Sequence, residues 1–340
     1  MNTAEKKVWI LMIAGISVVA VSWFGWYSYK LYQKRLAAEE GGIISYEFVD
    51  ALSPESSLVS FQGKQYERNP SIKAYLFIGV DTSGEMEQRV TGDGGQADGL
   101  FLAAYDAAGD SVKILMIPRD TMTPITLTDL SGKVLGKDIQ HITLAYGYGD
   151  GRELSCERTA EAVSELLGGL ELDGYLAMNT SLIPELNDLA GGVTVHIETE
   201  ELELRDPELA KGKDITLTGT QAETFIRYRD IEIDHSALTR MSRQQQYIEG
   251  YLQAVRRQVA KDDQTIVKLM NLIEGHMITD LSKDQYLNIG KAILYSKEKF
   301  GQDDILTIPG EGVVTDFFDE YHHDPEGTQQ MVLDLFYREK

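Results

Sequence analysis

Five arginines and two aspartates, spread along the chain, have the side chains needed to bind a pyrophosphate and its metal ion. They are Asp81, Asp98, Arg119, Arg227, Arg229, Arg240 and Arg243. Guanidinium groups bind phosphate oxygens in bidentate pairs and keep their charge, while carboxylates supply the hard oxygen ligands that Mg²⁺ prefers. This combination predicts a chain that handles an anionic phosphate ester.

The spacing of the later arginines sets conditions on the backbone. Arg227 and Arg229 are two residues apart, so they share a side only if a helix ends at about Ile226 and extended chain follows. Arg240 and Gln244 are four apart in a helical pattern and therefore share one face, with Arg243 on an adjoining turn. The alternative is a solvated charged surface, in which these arginines pair with nearby acids such as Asp230 and Asp234.

The aspartates also have two interpretations. Asp81 follows one apolar strand run and Asp98 precedes another, which suits metal ligation at a sheet edge, although aspartate is also a common turn residue. Asp120, directly after Arg119, is interpreted as a structural partner or cap rather than a base. His322 and His323 form the one close histidine pair, and we interpret them as surface residues.

The apolar pattern predicts an α/β body in which strands and helices alternate. Strands are predicted at 74–80, 99–105, 112–117, 175–178, 193–197 and 305–308, and helices at 152–167, 182–189, 219–226, 239–259, 265–275, 284–298 and 327–337. The runs at 99–105 and 112–117 are expected to form a hairpin. Asp98 begins its first strand and Arg119 follows its second, so both lie at one sheet edge if the pairing is antiparallel.

Composition restricts the class of protein. The 340 residues are 43% hydrophobic, which is enough for a buried core, and the formal net charge is −22. So acidic a chain is a poor nucleic-acid binder, because phosphate-backbone binding needs broad positive charge. Cys156 is the sole cysteine, so no intrachain disulfide forms, and we interpret it as a core residue.

The N-terminal region predicts a membrane anchor. Residues 8–29 form an uncharged apolar run with tryptophans and tyrosines at its C-terminal end, long enough to span a bilayer. A cleaved signal peptide is the alternative. Lysines and arginines balance across the span, so charge alone leaves its orientation open. We assign 1–7 to a tail, 8–29 to the transmembrane helix, 30–70 to a stalk that ends in a short hairpin, and 71–340 to the folded domain.

The order of these motifs resembles that of the LytR-CpsA-Psr family over about 71–260, with a weaker match beyond. The resemblance rests on Phe77 to Asp81, Asp98, Ile117 to Thr121, Gly191-Gly192-Val193, residues 219–229, and Arg240 with Arg243-Gln244-Gln245. It implies a short cytoplasmic tail, one membrane helix and an extracytoplasmic catalytic domain, hence a single-pass cell-membrane protein. The implied fold is a three-layer α/β/α sandwich around a central mixed sheet.

The resemblance also implies an activity. Such proteins move a glycopolymer from a polyprenyl-pyrophosphate lipid carrier to peptidoglycan, and their partners include the membrane but no nucleic acid. Arg119 and Asp81 are then the catalytic residues, and Asp81 and Asp98 hold Mg²⁺. The substrate is bound by Arg119, Arg227, Arg229, Arg240, Arg243 and Gln244. A carboxylate would deprotonate the acceptor hydroxyl.

The chain departs from the family pattern at two positions. Gln96 stands where the family commonly has an arginine, and Ala237 where it commonly has an aspartate; Arg89 and Asp234 are the nearby substitutes. Two other functions therefore stay open: a polyprenyl-pyrophosphate pyrophosphatase or phosphodiesterase, and a non-enzymatic lipid-binding envelope regulator. Six apolar residues have two interpretations: they line a groove for a polyprenyl tail, or they belong to the ordinary hydrophobic core. They are Leu100, Leu102, Val163, Leu166, Leu182 and Leu186.

Overall fold

The computed structural model describes residues 58–82, 84, 86–109, 111–230, 236–295, 301–315 and 318–340. Its strands are β1 Leu58–Phe61, β2 Lys64–Arg68, β3 Ile72–Val80, β4 Ala97–Asp106, β5 Ser111–Ile117, β6 Met122–Thr128, β7 Val134–His141, β8 Gly174–Asn179, β9 Val193–His196, β10 Asp214–Leu217, β11 Met277–Thr279, β12 Ile305–Thr307, β13 Gly310–Val314, β14 Asp319–His323 and β15 Tyr337–Glu339. Its α-helices are α1 Glu153–Leu166, α2 Ile183–Leu189, α3 Gly219–Arg227, α4 Ser236–Val259, α5 Gln264–Glu274, α6 Lys283–Tyr295 and α7 Pro325–Phe336.

A mixed sheet forms the centre of this α/β fold, in the order β11-β8-β3-β4-β5-β12. The β3–β8 and β5–β12 pairs are parallel, and β3–β4, β4–β5 and β8–β11 are antiparallel. The strand predictions at 74–80, 99–105, 112–117 and 175–178 are confirmed, as is the antiparallel hairpin. These strands are continuous apolar runs because both faces of the sheet are covered.

Helices cover the two faces. On one face, Leu76 of β3 and Leu102 of β4 belong to a buried cluster with Val163 of α1. On the other face, Ile114 and Met116 of β5 pack with residues of α4, including Ile248. Side chains alternate across a strand, so β3, β4 and β5 each supply both clusters.

The six leucines and valines considered for a lipid groove are core residues. Leu100, Leu102, Val163 and Leu166 lie buried in the α1-side cluster. Leu182 and Leu186 lie buried in a second cluster that α2, α3 and α4 share with β9. The core interpretation of these positions is confirmed.

The N-terminal hairpin β1–β2 is joined to the chain's last strand. Strand β2 pairs antiparallel with both β1 and β15, and Phe61 and Tyr66 pack against Leu333 of α7. Residues 58–68, which we assigned to the end of the stalk, thus lie against the folded body before the predicted start at Ser71. The side chains of Phe61 and Tyr66 explain why: they are apolar surfaces that α7 buries.

The predicted membrane span lies outside the described residues, as do the tail and most of the stalk. Within the described part, none of the helices combines the length and apolarity needed to cross a bilayer.

Candidate functional site

The sheet topology brings three predicted site motifs to the same end of the neighbouring strands β3, β4 and β5. Val80 at the end of β3 is paired with Ala97 at the start of β4, so Asp81 and Asp98, the next residues, lie at this end of the sheet. Leu100 of β4 is paired with Ile117, the last residue of β5, so Arg119 emerges beside Asp98. This is the geometry that the antiparallel hairpin predicts.

Asp98 is the centre of an ion-pair network at that edge. Its Oδ1 contacts Nη1 of Arg119, and its Oδ2 lies 3.3 Å from Nη1 of Arg240. Arg240 reaches this point from the first turns of α4, and its side chain is buried. Burial lowers the pKa of Arg240 and the neighbouring Asp98 carboxylate raises it. Asp98 thus compensates a cation that would be costly to bury alone.

Arg119 is held on three sides. Besides Asp98, its Nη2 donates to Oε1 of Gln96 at 2.5 Å, and its Nε lies 3.3 Å from Oδ1 of Asp120. Asp120 is buried, and its Oδ2 is 3.9 Å from Nη1 of Arg229. Asp120 is therefore a structural partner of two arginines, as the sequence predicted.

Among the described residues, Arg227 and Arg229 contact different partners. The helix α3 ends at Arg227, one residue later than predicted, and Tyr228 is extended. Arg227 pairs with Glu223 at 2.7 Å and its Nη2 is 3.5 Å from the backbone oxygen of Asp81. Arg229 donates from Nε to Oγ of Ser236 at 3.0 Å.

Arg243 and Gln244 point to the end of α3 rather than to Asp98. Arg243 donates to the backbone oxygens of Phe225, at 2.5 Å, and Tyr228, and pairs with Glu201 at 3.2 Å. Burial lowers its pKa to about 10, against the influence of Glu201. Gln244 lies 3.5 Å from the backbone oxygen of Ile226. The structure therefore gives Arg243 a helix-capping position outside the Asp98 network.

The loop before β4 ties Asp81 to Gln96. The amide N–H of Gln96 donates to Oδ1 of Asp81 at 2.7 Å, and the amide of Asp81 donates to the backbone oxygen of Gln96 at 3.1 Å. Gln96 thus contacts both Asp81 and Arg119. Sequence reasoning marked this position as a departure from the family pattern but did not predict either contact.

Neither Arg89 nor Asp234, the two suggested substitutes for the missing family residues, has a described side-chain contact with the Asp98 network. Arg89 donates its backbone N–H to the oxygen of Asp150 at 2.7 Å. Asp234 lies outside the described residues, and Ala237 has no described side-chain environment.

Asp81 and Asp98 are the two carboxylates that we predicted as metal ligands. In the structure both oxygens of Asp98 contact arginines, and Oδ1 of Asp81 accepts from the amide of Gln96. No group of three or more histidine, cysteine, aspartate or glutamate side chains in the described ranges is arranged to hold one. Magnesium needs fewer protein ligands, because it keeps several waters and takes further oxygens from substrate phosphates. Two carboxylates at adjoining strand ends fit that pattern of coordination.

A hairpin that sequence reasoning missed borders the network. Strands β13 and β14 pair antiparallel, and the amide of Tyr321 donates to the backbone oxygen of Asp120 at 2.8 Å. His323 of β14 is half-buried rather than a surface residue, and burial lowers its pKa. The hairpin gave little signal because its strands are short and carry charged residues.

Comparison with known proteins places this geometry in a family. Residues 47–334 match the model of the LytR_cpsA_psr family. The chain is 25% identical over 338 residues to the polyisoprenyl-teichoic acid–peptidoglycan teichoic acid transferase TagU of Bacillus anthracis strain CDC 684, covering 96% of this chain and 95% of the relative. The TagU of Bacillus cereus strain ATCC 14579 is 26% identical over 336 residues, with the same coverage.

Solved structures share the fold. Bacillus subtilis TagV superimposes with a TM-score of 0.56 at 20% identity, covering 78% of this chain and 98% of that one. Bacillus subtilis TagT superimposes with a TM-score of 0.54 at 18% identity, covering 79% and 92%.

Proposed function

The chain belongs to the LytR_cpsA_psr family, and on that premise we propose that it transfers a glycopolymer from a polyprenyl-pyrophosphate lipid carrier to peptidoglycan. The relatives named as TagU are teichoic acid transferases that act between a polyisoprenyl carrier and peptidoglycan. The observation that carries the proposal is the Asp98 network, in which Arg119 and Arg240 converge from β5 and α4. Convergent guanidiniums in an acidic chain favour a local anion site.

The reaction is a phosphoryl transfer. The oxygen of an acceptor hydroxyl bonds to the glycan-bearing phosphorus, and the bond from that phosphorus to the bridging oxygen breaks. The products are a glycan phosphodiester on the acceptor and polyprenyl phosphate, and the hydroxyl proton passes to a base. Catalysis of this kind depends on positioning and on charge stabilisation of the leaving group.

In this proposal the arginines bind the pyrophosphate. Arg119 and Arg240 donate some of their N–H groups to phosphate oxygens and keep others on Asp98. Arg227 and Arg229 reach the phosphates from the end of α3. Because Asp98 and Asp120 already fix the guanidiniums, little side-chain order is lost on binding. Arg243 and Gln244 act indirectly by holding the end of α3.

We propose that Asp81 and Asp98 hold Mg²⁺ together with oxygens of the pyrophosphate. The ion would neutralise charge on the leaving phosphate.

We further propose that residues 8–29 anchor the chain in the cell membrane, with the catalytic domain extracytoplasmic. The uncharged length of this segment and its aromatic end support the anchor. A substrate with a polyprenyl chain is held at the same membrane, which keeps enzyme and donor together.

The test is product analysis with the full chain in detergent micelles and a lipid-linked glycopolymer, with and without peptidoglycan. We expect a wall-linked phosphodiester and free polyprenyl phosphate only when peptidoglycan is present. Arg119→Ala should lower the rate by at least about 100-fold, the loss seen when one charge-stabilising donor is removed. Arg257→Ala, an exposed arginine late in α4, is the matched control and should keep the rate.

Release of free glycan phosphate with no wall conjugate would show hydrolysis instead of transfer. Unchanged conjugate formation by both Arg119→Ala and Arg227→Ala would remove these arginines from the mechanism.

A further inference from the structure

Asn179 is a buried amide at the end of β8, beside the residue that precedes Asp81. It is 1% exposed and is paired with Val80 in the parallel β3–β8 pairing. Strand β3 lies between β4 and β8, so Asn179 and the start of β4 flank the end of β3 from opposite sides. A buried side-chain amide needs partners for its donor and its acceptor, and these partners indicate what it holds in place.

The side chain of Asn179 holds the chain that follows Asp81. Its Nδ2 donates to Oγ1 of Thr82 at 3.3 Å and to the backbone oxygen of Gly84 at 2.9 Å. Its Oδ1 accepts from the backbone amide of Ser181 at 2.9 Å. A backbone N–H can only donate, so the Ser181 contact fixes which end of the side chain is the oxygen. The Nδ2 donors therefore face the chain after Asp81.

The chain on both sides of Asp81 is thus bonded to both neighbouring strands. On the β8 side, Thr180 donates from its Oγ1 to the backbone oxygen of Val80 at 3.0 Å. On the β4 side, the amide of Gln96 donates to Oδ1 of Asp81 at 2.7 Å. Where the backbone pairing of β3 with β8 ends, the side chains of Asn179 and Thr180 continue it.

We propose that Asn179 is a positioning residue that fixes Asp81 for Mg²⁺ binding by holding Thr82 and Gly84. A metal ligand functions only when its supporting contacts hold it within about 0.5 Å of its productive position. Asn179 touches neither substrate nor ion and acts through the backbone that leaves Asp81. The inference rests on the proposed transfer function and its metal site, to which it adds a residue of β8.

Asn187 of α2 is the matched control for Asn179. It is 0% exposed, its Nδ2 donates to the backbone oxygen of Leu217 at 2.8 Å, and its Oδ1 accepts from the amide of Val193 at 3.2 Å. It therefore makes the same kinds of hydrogen bonds, but to β9 and β10. Asn179→Ser and Asn187→Ser each remove one buried amide and leave a hydroxyl, and we expect both to lower Tm.

The experiment measures kcat and the Mg²⁺ concentration that gives half the maximal rate, using the full chain in detergent, a lipid-linked glycopolymer and peptidoglycan. We expect Asn179→Ser to raise that concentration about tenfold, the lower end of the range for residues that orient metal ligands. Asn187→Ser should leave it unchanged. Partial unfolding lowers the rate but does not change the half-saturating Mg²⁺ concentration of the molecules that stay folded. An unchanged concentration in Asn179→Ser overturns the proposal.

Thr82 provides a second test that disturbs the core less. Thr82→Val keeps the shape of the side chain but removes the oxygen that accepts from Asn179, so the half-saturating Mg²⁺ concentration should rise about threefold. Thr82→Ser keeps the hydroxyl and should restore the wild-type concentration. Equal concentrations for the two Thr82 variants contradict the proposal.

Binding of Mn²⁺, which also prefers carboxylate ligands, separates this inference from the proposed function because it needs no turnover. The loss of the free-ion electron paramagnetic resonance signal reports binding to the full chain in detergent. We expect Asn179→Ser to bind about tenfold more weakly than wild type, and Asn187→Ser to bind as wild type does. Surface carboxylates are the same in all three proteins, so a difference between them reports the Asp81 site.

The two failures are distinguishable. If the wild type transfers nothing yet the Mn²⁺ difference is present, the transfer function fails and the role of Asn179 stands. If transfer occurs but the three proteins bind Mn²⁺ alike or not at all, the role of Asn179 fails.

Discussion

Arg240 donates from Nη1 to Oδ2 of Asp98 over 3.3 Å while its own side chain is only 5% exposed. The other carboxylate oxygen contacts Arg119, so one aspartate compensates two guanidiniums from different elements. A buried ion pair adds little by itself, but removing one partner leaves a charge uncompensated. The position of the arginines therefore depends on Asp98 before any substrate binds.

Asp98→Asn should lower the free energy of unfolding by about 3 kcal/mol, because it leaves the buried Arg240 without a counter-charge. Urea denaturation measures this loss. Asp93→Asn, at an exposed position in the preceding loop, should stay within about 0.5 kcal/mol of wild type. Equal stability of the two variants would mean that Arg240 finds compensation elsewhere.

Gln96→Leu should lower kcat/KM for the donor about tenfold, because Arg119 loses the acceptor that Gln96 Oε1 supplies at 2.5 Å. Steady-state kinetics and a thermal melt on the same preparation separate positioning from stability. Gln88→Leu, exposed on the same loop, is the control. A drop in Tm that matches the loss of activity would point to a purely structural role.

Gly95→Ala should be more damaging than Gly92→Ala, although both glycines have positive φ, +86° and +95°. A Cβ at Gly92 meets nothing within 4 Å, so the cost is backbone strain of about 1–2 kcal/mol. A Cβ at Gly95 would collide with Thr82 and lie 2.9 Å from Oδ1 of Asp81. Only Gly95→Ala should therefore reduce activity beyond its effect on stability, which paired urea titrations and rate assays will measure.

Arg243→Met should destabilise the fold by about 3–5 kcal/mol, since it leaves the buried Glu201 unpaired and uncaps the end of α3. Adding Glu201→Leu should recover part of that loss, because it removes the stranded charge. A double-mutant cycle in urea gives the coupling. Additive losses would show that the Arg243–Glu201 pair does not couple.

Folding stability should fall in acid partly through His323. Burial is the main cause of its lowered pKa, against the influence of Asp324 and with a smaller contribution from His322. Below pH 6.5, the ordinary pKa of histidine, His323 binds a proton in the unfolded chain more readily than in the native chain. The free energy of unfolding therefore falls as the pH drops from 6.5 toward the lowered native pKa, and rises again as the pH is raised. Melts at about pH 5 and about pH 7.5 should show a smaller difference for His323→Gln than for wild type. Equal differences in the two proteins would contradict this assignment.

The central sheet was predictable because its strands are covered on both faces. Runs such as 74–80 and 112–117 are continuously apolar and bounded by turn residues, so they were predicted as strands. The order of the strands in the sheet was not predicted, apart from the 99–105 and 112–117 hairpin. Strands β7, β13 and β14 were missed because much of their surface faces solvent; β7 is exposed along most of its length. Their polar sequences resemble loops, and only tertiary pairing distinguishes them.

The site was predictable in its composition and less so in its contacts. The hairpin argument brought Asp98 and Arg119 together correctly, since register follows from strand pairing. The helical spacing argument did not distinguish Arg240 from Arg243, which are three residues apart on one helix but bind different partners. The partners of Arg243 are the end of α3 and Glu201, which lies about 40 residues earlier in the chain. The spacing of residues along α4 gives no information about either partner.

Strand β15 has a consequence for biosynthesis. It pairs with β2, so the three-stranded sheet joins residues 64–68 to residues 337–339. The N-terminal hairpin cannot gain this partner while the ribosome still holds residue 339, because loop closure over such a separation needs both ends to be free. Until α7 and β15 have left the ribosome, Phe61 and Tyr66 lack the surface of α7 that buries them and are open to chaperones. The β1–β2 hairpin is therefore synthesised well before the strand that completes its sheet.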